Sequence, residues 1–262
     1  ARSLAEGGVP FEVRSATTRF PLDFPPDATL TRYARALDAD EDGVRDQLAR
    51  RIGTHHEGEA RIGLPAVLGL KNARAVREHL ETRLNADVFE VPTGRPSIPG
   101  LRLENQLRAA LDDAGVAVVG NEVVEYERTG DRIEAVSVSR NDQEIRYTAS
   151  QFVLATGGLV GGGLESDRET VREAVFDCPV SHPPDRADWS TDDRTDAQPF
   201  ASVGVEVAED LRPREGEAVR FENLRAAGAV IGGADDAMTA AGSGISLATG
   251  EVAGQLAGEA VR

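Results

Sequence analysis

The sequence predicts an α/β protein built in two parts, and three observations support this fold class. Across residues 11–99, apolar strand patterns alternate with helical patterns, which is typical of an α/β layer. Across residues 116–148, short alternating strands separated by turn residues predict an antiparallel meander with one face in water. Two further apolar strands, at residues 151–158 and 223–233, end in small residues and glycines, which allow a close approach to a bulky molecule.

The first part covers residues 1–99. Its elements in chain order are a strand at 11–20, helices at 30–37 and 40–52, a strand at 61–70, a helix at 73–84 and a strand at 87–91. Apolar residues spaced three or four apart justify each helix, and alternation or a continuous apolar run justifies each strand. Three prolines and two glycines between Pro92 and Gly100 predict the boundary of this part.

The second part covers residues 100–262. It is predicted to contain a helix at 101–114, strands at 116–119, 122–128, 133–139 and 144–148, a buried strand at 152–155 and a helix at 244–257. Residues 165–200 are rich in charge and proline and are predicted to be mostly loop. The last helix follows Gly242-Ser243-Gly244, so the partial positive charge of its amino end is available to a phosphate or a carbonyl oxygen.

The composition excludes several classes of partner and site. A net charge of −16 argues against nucleic acid, whose phosphates the protein would repel. Lys71 is the single lysine among many arginines, aspartates and glutamates. This balance is typical of a salt-loving archaeon, and the alternative is an acidic protein from a GC-rich genome. The first interpretation predicts a fold that loosens at low ionic strength, because salt no longer screens the surface repulsion.

A single cysteine, Cys178, excludes an internal disulfide and a cysteine-cluster metal site, and the acidic stretch at 185–196 lacks the spacing of a calcium loop. We therefore expect no metal. No apolar run reaches the roughly 20 residues that span a bilayer, and residues 1–10 do not have the pattern of a secretory signal. These observations predict a cytoplasmic location, with attachment to a membrane through a partner left open.

The order of these motifs resembles FAD-dependent reductases and dehydrogenases with two dinucleotide-binding units. Within that group the chain most closely resembles the B subunits of the anaerobic glycerol-3-phosphate dehydrogenases. The matching stretches include Leu64-Pro65-Ala66, Gly100-Leu101-Arg102-Leu103, Leu211-Arg212-Pro213 and Gly232-Gly233. The resemblance implies that residues 1–99 form a substrate-side or cap domain, incomplete at its start, and that residues 100–262 form the C-terminal half of a flavin-binding domain.

Proteins of that family open with a G-x-G-x-x-G dinucleotide-binding turn, which does not occur in this sequence. The simplest expectation is the C-terminal part of a longer protein, and a natural split or a degenerate subunit is the alternative. Many members of the wider FAD group also carry an aspartate after the glycine that corresponds to Gly228. Here that position is Ala229, whose methyl group accepts no hydrogen bond from a sugar or ribityl hydroxyl.

The resemblance implies a flavin-dependent redox subunit with FMN, or alternatively FAD, as its cofactor. Its complex oxidises sn-glycerol 3-phosphate to dihydroxyacetone phosphate and passes electrons toward quinone. The implied partners are the two other subunits of that complex, one flavin-containing and designated A, the other membrane-associated, iron-sulfur-containing and designated C. These partners would hold the protein at the inner face of the membrane.

Two alternatives to this function stay open. One is an assembly subunit with a degenerate flavin site, and the other is an independent flavin oxidoreductase of another small substrate. We expect the isolated chain to be inactive.

Candidate site residues follow from the motifs and the resemblance, although no catalytic residue is assigned. The predicted cofactor contacts are Thr156, Gly157, Gly158, Gly228, Gly232, Gly233, Gly242, Ser243 and Gly244. The arginines predicted to bind a phosphate, or alternatively to form ion pairs, are Arg102, Arg168, Arg172 and Arg212. His55 or His56 would serve as a general base if it were not simply an exposed loop residue. Trp189 either shields a cofactor or anchors a loop.

Overall fold

The computed structural model describes residues 12–141, 143–193, 196–234 and 242–262. Phe11, which opens the first predicted strand, Asp142 of a predicted turn, and residues 194–195 of the acidic stretch lie outside the described residues. The chain divides into two compact units, residues 1–118 and residues 119–262, called unit 1 and unit 2 below.

Unit 1 is built around a parallel pair of strands joined by a helix. Its helices and strands are α1 (Leu30–Ala39), α2 (Val44–Gly53), β1 (Arg61–Pro65), α3 (Ala73–Leu84), β2 (Asp87–Val91) and α4 (Ile98–Asp113). Ile62 of β1 lies opposite Val88 of β2, and α3 makes the connection that parallel neighbours require. The helices bury one apolar face, with Leu37, Val76 and Leu80 fully enclosed. Helical periodicity therefore located the three helices of this core.

Two predictions for unit 1 are wrong. Residues 12–20 form no strand, because no described strand pairs with them; at their end the carbonyl oxygen of Phe20 accepts a hydrogen bond from Arg51 at 2.9 Å. The strand predicted at 61–70 ends at Pro65, and Ala66, Val67 and Leu68 continue as a buried loop. The apolar run at 61–70 therefore indicates burial, but only its first half forms a strand.

The division between the units falls after Val118 rather than in the proline-rich stretch at 92–100. Helix α4 belongs to unit 1 because residues at its start pack against that unit and form hydrogen bonds with it. Ile98 is fully buried, and Arg102 donates to the carbonyl oxygen of Gly69 at 2.6 Å and forms an ion pair with Glu90. The prolines mark the start of a helix and not the edge of the compact unit.

Unit 2 opens with an antiparallel sheet of β3 (Val123–Thr129), β4 (Arg132–Arg140) and β5 (Gln143–Thr148), paired in sequential order. Residues 116–119, predicted as a strand, are irregular, because within the described residues they have no partner strand. The strand β6 (Phe152–Leu154) is followed by short antiparallel pairs. These are β7 (Leu164–Ser166) with β8 (Val171–Glu173), β9 (Val180–Ser181) with β10 (Gly204–Val205), and β11 (Arg214–Glu215) with β12 (Ala218–Val219).

The chain then returns beside β6 in β13 (Leu224–Ala226), and the two strands run parallel with Leu224 opposite Phe152. Helix α5 (Gly242–Glu259) packs on this pair. The core of unit 2 includes Phe176, Trp189 and Phe221. The region at 165–200, predicted as mostly loop, contains three-residue strands and supplies core side chains, because strands so short give no periodic signal in a sequence.

Among the described residues, no helix has both the length and the apolar character that crossing a bilayer requires.

Candidate functional site

The parallel strands β6 and β13 end at the same edge, and each leads into a predicted cofactor-binding stretch. The amide of Ala227 donates to the carbonyl oxygen of Leu154 at 2.9 Å, which keeps the two strand ends side by side. Thr156-Gly157-Gly158 follows the first strand and Gly228 follows the second. In open α/β sheets, ligands bind at the carboxyl ends of parallel strands. The fold therefore gathers two separated stretches where a ligand site is expected.

The glycines of the first stretch are required by main-chain packing. A Cβ on Gly158 would lie 2.7 Å from the carbonyl oxygen of Ala229, and one on Gly163 would overlap the carbonyl oxygen of Gly157. Gly157 itself has a positive φ of 86°. The residues Gly161-Gly162-Gly163 close back on this stretch, and a Cβ on Gly161 would lie 3.2 Å from the Cα of Gly157. These glycines hold two main-chain segments together, so their presence alone does not indicate a cofactor.

The second stretch is joined to helix α5. The amide of Gly228, whose φ is 75°, donates to Thr249 Oγ1 at 2.8 Å. Gly232 packs against Gly204, and Gly233 has a φ of 87° with open space where its Cβ would lie. The first turns of α5 thus lie beside Gly228. The remaining predicted contacts, Gly242-Ser243-Gly244, occupy the exposed or half-exposed start of that helix.

Three of the four candidate phosphate-binding arginines have carboxylate partners. Arg102 binds Glu90 through two hydrogen bonds of 2.5 and 2.8 Å, Arg172 pairs with Glu165, and Arg212 Nε lies 2.6 Å from Asp210. Arg168 is exposed and makes no ion pair within the described part of the chain. The structure does not gather these arginines around one point. Arg102, Arg172 and Arg212 therefore form ion pairs, as the alternative prediction stated.

The histidines also have structural surroundings. His55 is exposed, whereas His56 Nε2 lies 3.0 Å from the carbonyl oxygen of Glu59, and His56 and Glu59 line a shallow cleft of unit 1 with Arg14. Backbone amides of residues 57 and 59, assisted by Arg14, lower the pKa of Glu59 to about 2. The cleft therefore contains charges that already neutralise one another. Across the described residues, no group of three or more His, Cys, Asp or Glu is arranged to hold a metal ion.

A second cleft, of about 400 Å³, lies in unit 2 beside the first glycine stretch. We call it the Trp189 cleft. Its apolar lining is Leu159, Leu164, Trp189 and Phe200. Its polar lining is Ser166, Ser190 and Arg186, whose guanidinium carbon lies 4.2 Å from the centre of the Trp189 ring. Trp189 is buried and its Nε1 donates to the carbonyl oxygen of Pro183, so this residue both anchors a loop and borders the cleft.

Comparison with protein families shows to which family this chain belongs. The family model described as FAD binding domain matches residues 1–247. The chain belongs to this family. The family supports a flavin as the cofactor.

Three relatives illustrate what this chain is similar to. A protein from Halobacterium salinarum, named as the probable B subunit of anaerobic glycerol-3-phosphate dehydrogenase, is 45% identical over all of the chain and 64% of its own length. Proteins named as the B subunit of the same enzyme, from Yersinia enterocolitica and Vibrio cholerae, are 34% and 30% identical, over 94% and 71% of the chain and 58% and 43% of their own lengths. The chain therefore spans less than two thirds of the length of these relatives. No solved structure matches it.

The residues at the strand edge fit a flavin. Gly228 and Gly233 present main chain in left-handed conformations without side chains, and helix α5 contributes Thr249, whose hydroxyl accepts the amide of Gly228. Ala229 is exposed and supplies no carboxylate to a ribityl hydroxyl. A bound flavin would supply two-electron redox chemistry. The protein would supply backbone donors, hydroxyl groups and a partly apolar wall.

Sequence reasoning missed two buried charged residues of unit 2. Glu173 is 2% exposed, and its carboxylate accepts the amides of Val175 and Phe176 at 2.7 Å each. Arg225 is 8% exposed and donates to Gln151 Oε1 at 2.8 Å, but its Nε has no partner among the described residues. Neither could be found from the sequence, because an isolated charge within a three-residue strand looks like a surface position.

Proposed function

We propose that this protein is a flavin-dependent redox subunit of a glycerol-3-phosphate dehydrogenase. The observation that carries the proposal is the meeting of both glycine-containing strand ends and helix α5 at one edge of a parallel strand pair, in a chain of the FAD binding domain family. The substrate is proposed from the printed names of the relatives. The complex would oxidise sn-glycerol 3-phosphate to dihydroxyacetone phosphate, with electrons passed toward quinone.

The proposed cofactor contacts are the strand-edge residues at 156–158 and 228–233 and the start of α5. FAD is favoured over the FMN predicted from the sequence, because the matching family is one that binds FAD. FMN is the alternative supported by Ala229, which cannot accept the hydrogen bond that a carboxylate would. Arg168 is the candidate for an anionic phosphate, since it has no carboxylate partner among the described residues.

The proposed partners are a flavin-containing subunit, designated A, and an iron-sulfur subunit, designated C, through which the protein would attach at the inner face of the membrane. A division of labour is consistent with the residues found here, because His56, His79 and His182 form hydrogen bonds within the fold, Cys178 is buried, and His55 is an exposed loop residue. We therefore propose that substrate oxidation requires the assembled complex.

A second candidate is an assembly subunit whose flavin site has degenerated. It is favoured by the packing of Gly158 against Ala229, which accounts for the glycine spacing without any cofactor. The missing carboxylate at Ala229 supports the same alternative.

The test is flavin content. We would purify the protein in high salt, alone and with its partner subunits, measure the visible flavin absorbance and identify the released cofactor by mass. Gly228→Ala is expected to lower flavin content at least about fivefold, because a Cβ at a positive φ would displace the main chain at the strand edge. Gly216→Ala, at a similar φ of 62° in the turn between β11 and β12, is the matched control and is expected to retain flavin.

Flavin in the wild type, retained in the control and lost in Gly228→Ala, would support the redox proposal. A flavin-free protein within an intact, active complex would contradict it and favour the assembly function.

A further inference from the structure

We propose that the Trp189 cleft receives the isoalloxazine ring of the flavin, and that Arg186 donates hydrogen bonds to the polar edge of that ring. This inference rests on the proposed flavin binding and adds residues that the glycine motifs do not include. It assigns a role to Arg186 and Trp189, which lie in the stretch 165–200 that was predicted from the sequence to be mostly loop.

The position of the cleft supports the assignment. Leu159, one of its walls, directly follows the Thr156-Gly157-Gly158 stretch. Phe200, another wall, lies in a short helical turn (Pro199–Ser202), and the carbonyl oxygen of Ser202 accepts the amide of Gly233 at 2.9 Å. The first glycine-containing stretch therefore continues into one wall of the cleft, and the second is hydrogen-bonded to the turn that carries another wall, so a cofactor held at the strand edge has this cleft next to it.

The lining matches the chemistry of a flavin ring. An isoalloxazine is planar, with an apolar dimethylbenzene end and a pyrimidine end that carries carbonyl oxygens and ring nitrogens. Leu159, Leu164 and Phe200 offer an apolar surface, whereas Ser166 and Arg186 offer hydrogen-bond donors. The volume of about 400 Å³ falls within the roughly 300–1,000 Å³ of small-molecule sites. Phe200 is 44% exposed, which leaves an apolar ring available to a ligand.

Arg186 is an exposed arginine that lies against an aromatic ring. Its guanidinium is stacked over Trp189, and it forms no ion pair with any residue that the structure describes. Stacking occupies the face of the guanidinium and leaves its planar N–H edge free to donate. The indole thus fixes a cation beside an apolar wall, whereas Arg102, Arg172 and Arg212 use their donors on carboxylates.

The experiment uses the one tryptophan of the protein. A ¹⁵N-labelled sample gives a single indole N–H resonance, and that resonance moves strongly only when a ring binds close to Trp189. We would titrate the protein with riboflavin, FMN and FAD, with AMP as a ligand that lacks the flavin ring, and measure binding independently by equilibrium dialysis. The indole resonance is expected to shift with all three flavins and not with AMP.

Arg186→Gln is expected to raise the Kd for riboflavin about tenfold, because the change removes the charged, planar guanidinium donors, and riboflavin has no phosphate with which they could pair instead of the ring. Arg140→Gln is the matched control, since Arg140 is an exposed arginine of β4 in the same unit. Far-UV circular dichroism would verify that both variants fold.

Flavin that binds in dialysis without moving the indole resonance, or with equal Kd values for wild type and Arg186→Gln, would overturn this inference and leave the proposed function standing. The absence of any flavin binding in dialysis, both by the protein alone and by its complex with the partner subunits, would overturn both.

Discussion

The two units use their charged side chains differently. In unit 1, the carboxylate of Asp38 accepts the amides of Leu70, Lys71 and Asn72 at 2.7 to 3.0 Å, and Arg102 and Glu90 form a bidentate pair. In unit 2, Arg186 has no carboxylate partner within the described residues. These charges of unit 1 hold loops and a helix end in place. Arg186 of unit 2 instead keeps donors that remain available to a ligand.

Their glycines differ in the same sense. In unit 1, Gly69 makes room for the carboxylate of Asp38, a side chain. In unit 2, Gly158 and Gly163 make room for main-chain atoms, which cannot move aside as a side chain can. Substitution of these glycines should therefore destabilise the protein more in unit 2 than in unit 1. Unit 2 is also the unit that holds the candidate ligand site.

The largest expected effect is that of Gly163→Ala. Its Cβ would overlap the Gly157 carbonyl oxygen and lie 2.5 Å from Thr156 Oγ1, so the loop must shift. We expect a loss of about 3 kcal/mol in the free energy of unfolding, measured by urea denaturation in high salt. Gly162→Ala is the control: its φ is 83° but its Cβ would meet nothing, and we expect a loss of about 1 kcal/mol. Equal losses would show that backbone conformation, and not close packing, sets the requirement for glycine.

A smaller effect is expected for the ion pair of unit 1. Arg102→Met would leave the half-buried carboxylate of Glu90 without its partner and remove the donor to Gly69, at a cost of about 2 kcal/mol in unfolding free energy. Arg108→Met in the same helix removes an exposed pair with Glu104 and should cost less than about 0.5 kcal/mol. The measurement is again urea denaturation. A cost for Arg102→Met no larger than that of the control would mean that unit 1 does not depend on this pair.

The same pair predicts a pH dependence. Burial raises the pKa of Glu90, but hydrogen bonds from Arg102 and from the amide of Leu68 outweigh burial and leave it below its ordinary value. A lowered pKa in the folded state contributes stability above the unfolded pKa of about 4.3, and that contribution is lost as the pH falls through the folded value. Wild type should therefore lose more unfolding free energy than Glu90→Gln between about pH 6 and about pH 3. Parallel losses in the two proteins would refute this origin of the acid sensitivity.

Sequence patterns predicted what is periodic or chemically distinctive. Helices α1, α2 and α3 followed from their apolar spacing, and the two glycine-containing strand ends were correctly identified as separate stretches that end apolar strands. The strand at 11–20 was predicted wrongly because alternation does not guarantee a partner strand. The strands β7 to β10 were missed because two or three residues cannot establish a period.

The site was harder to predict than the fold. The glycine stretches were visible in the sequence, but the contacts between Gly158 and Ala229, and between Gly228 and Thr249, depend on tertiary placement. Arg186 resembled the other arginines in the sequence. Only the structure separates it from those that pair with carboxylates, because pairing is decided between residues distant in the chain.

The smallest expected effect concerns Cys178, whose thiol should remain unreactive in the folded protein. Burial, followed by the nearby carboxylate of Glu173, raises the pKa of this thiol to about 12. At about pH 8 the thiolate fraction is then on the order of one in ten thousand, and the side chain is only 2% exposed. Alkylation by iodoacetamide, followed by mass spectrometry, should label the protein only after unfolding in urea.

Ser139→Cys provides the control, because residue 139 is exposed in β4 and its thiol should react in the folded state while Cys178 does not. If Cys178 in the folded protein were labelled at the rate of the control cysteine, the loop from Glu173 to Cys178 would have to open readily. An unreactive Cys178 would instead show that unit 2, like unit 1, buries some of its ionisable groups as part of its folded core. Arg186 would then be a charged group of unit 2 that the fold does not enclose, exposed beside the glycine-containing edge and therefore able to meet a ligand.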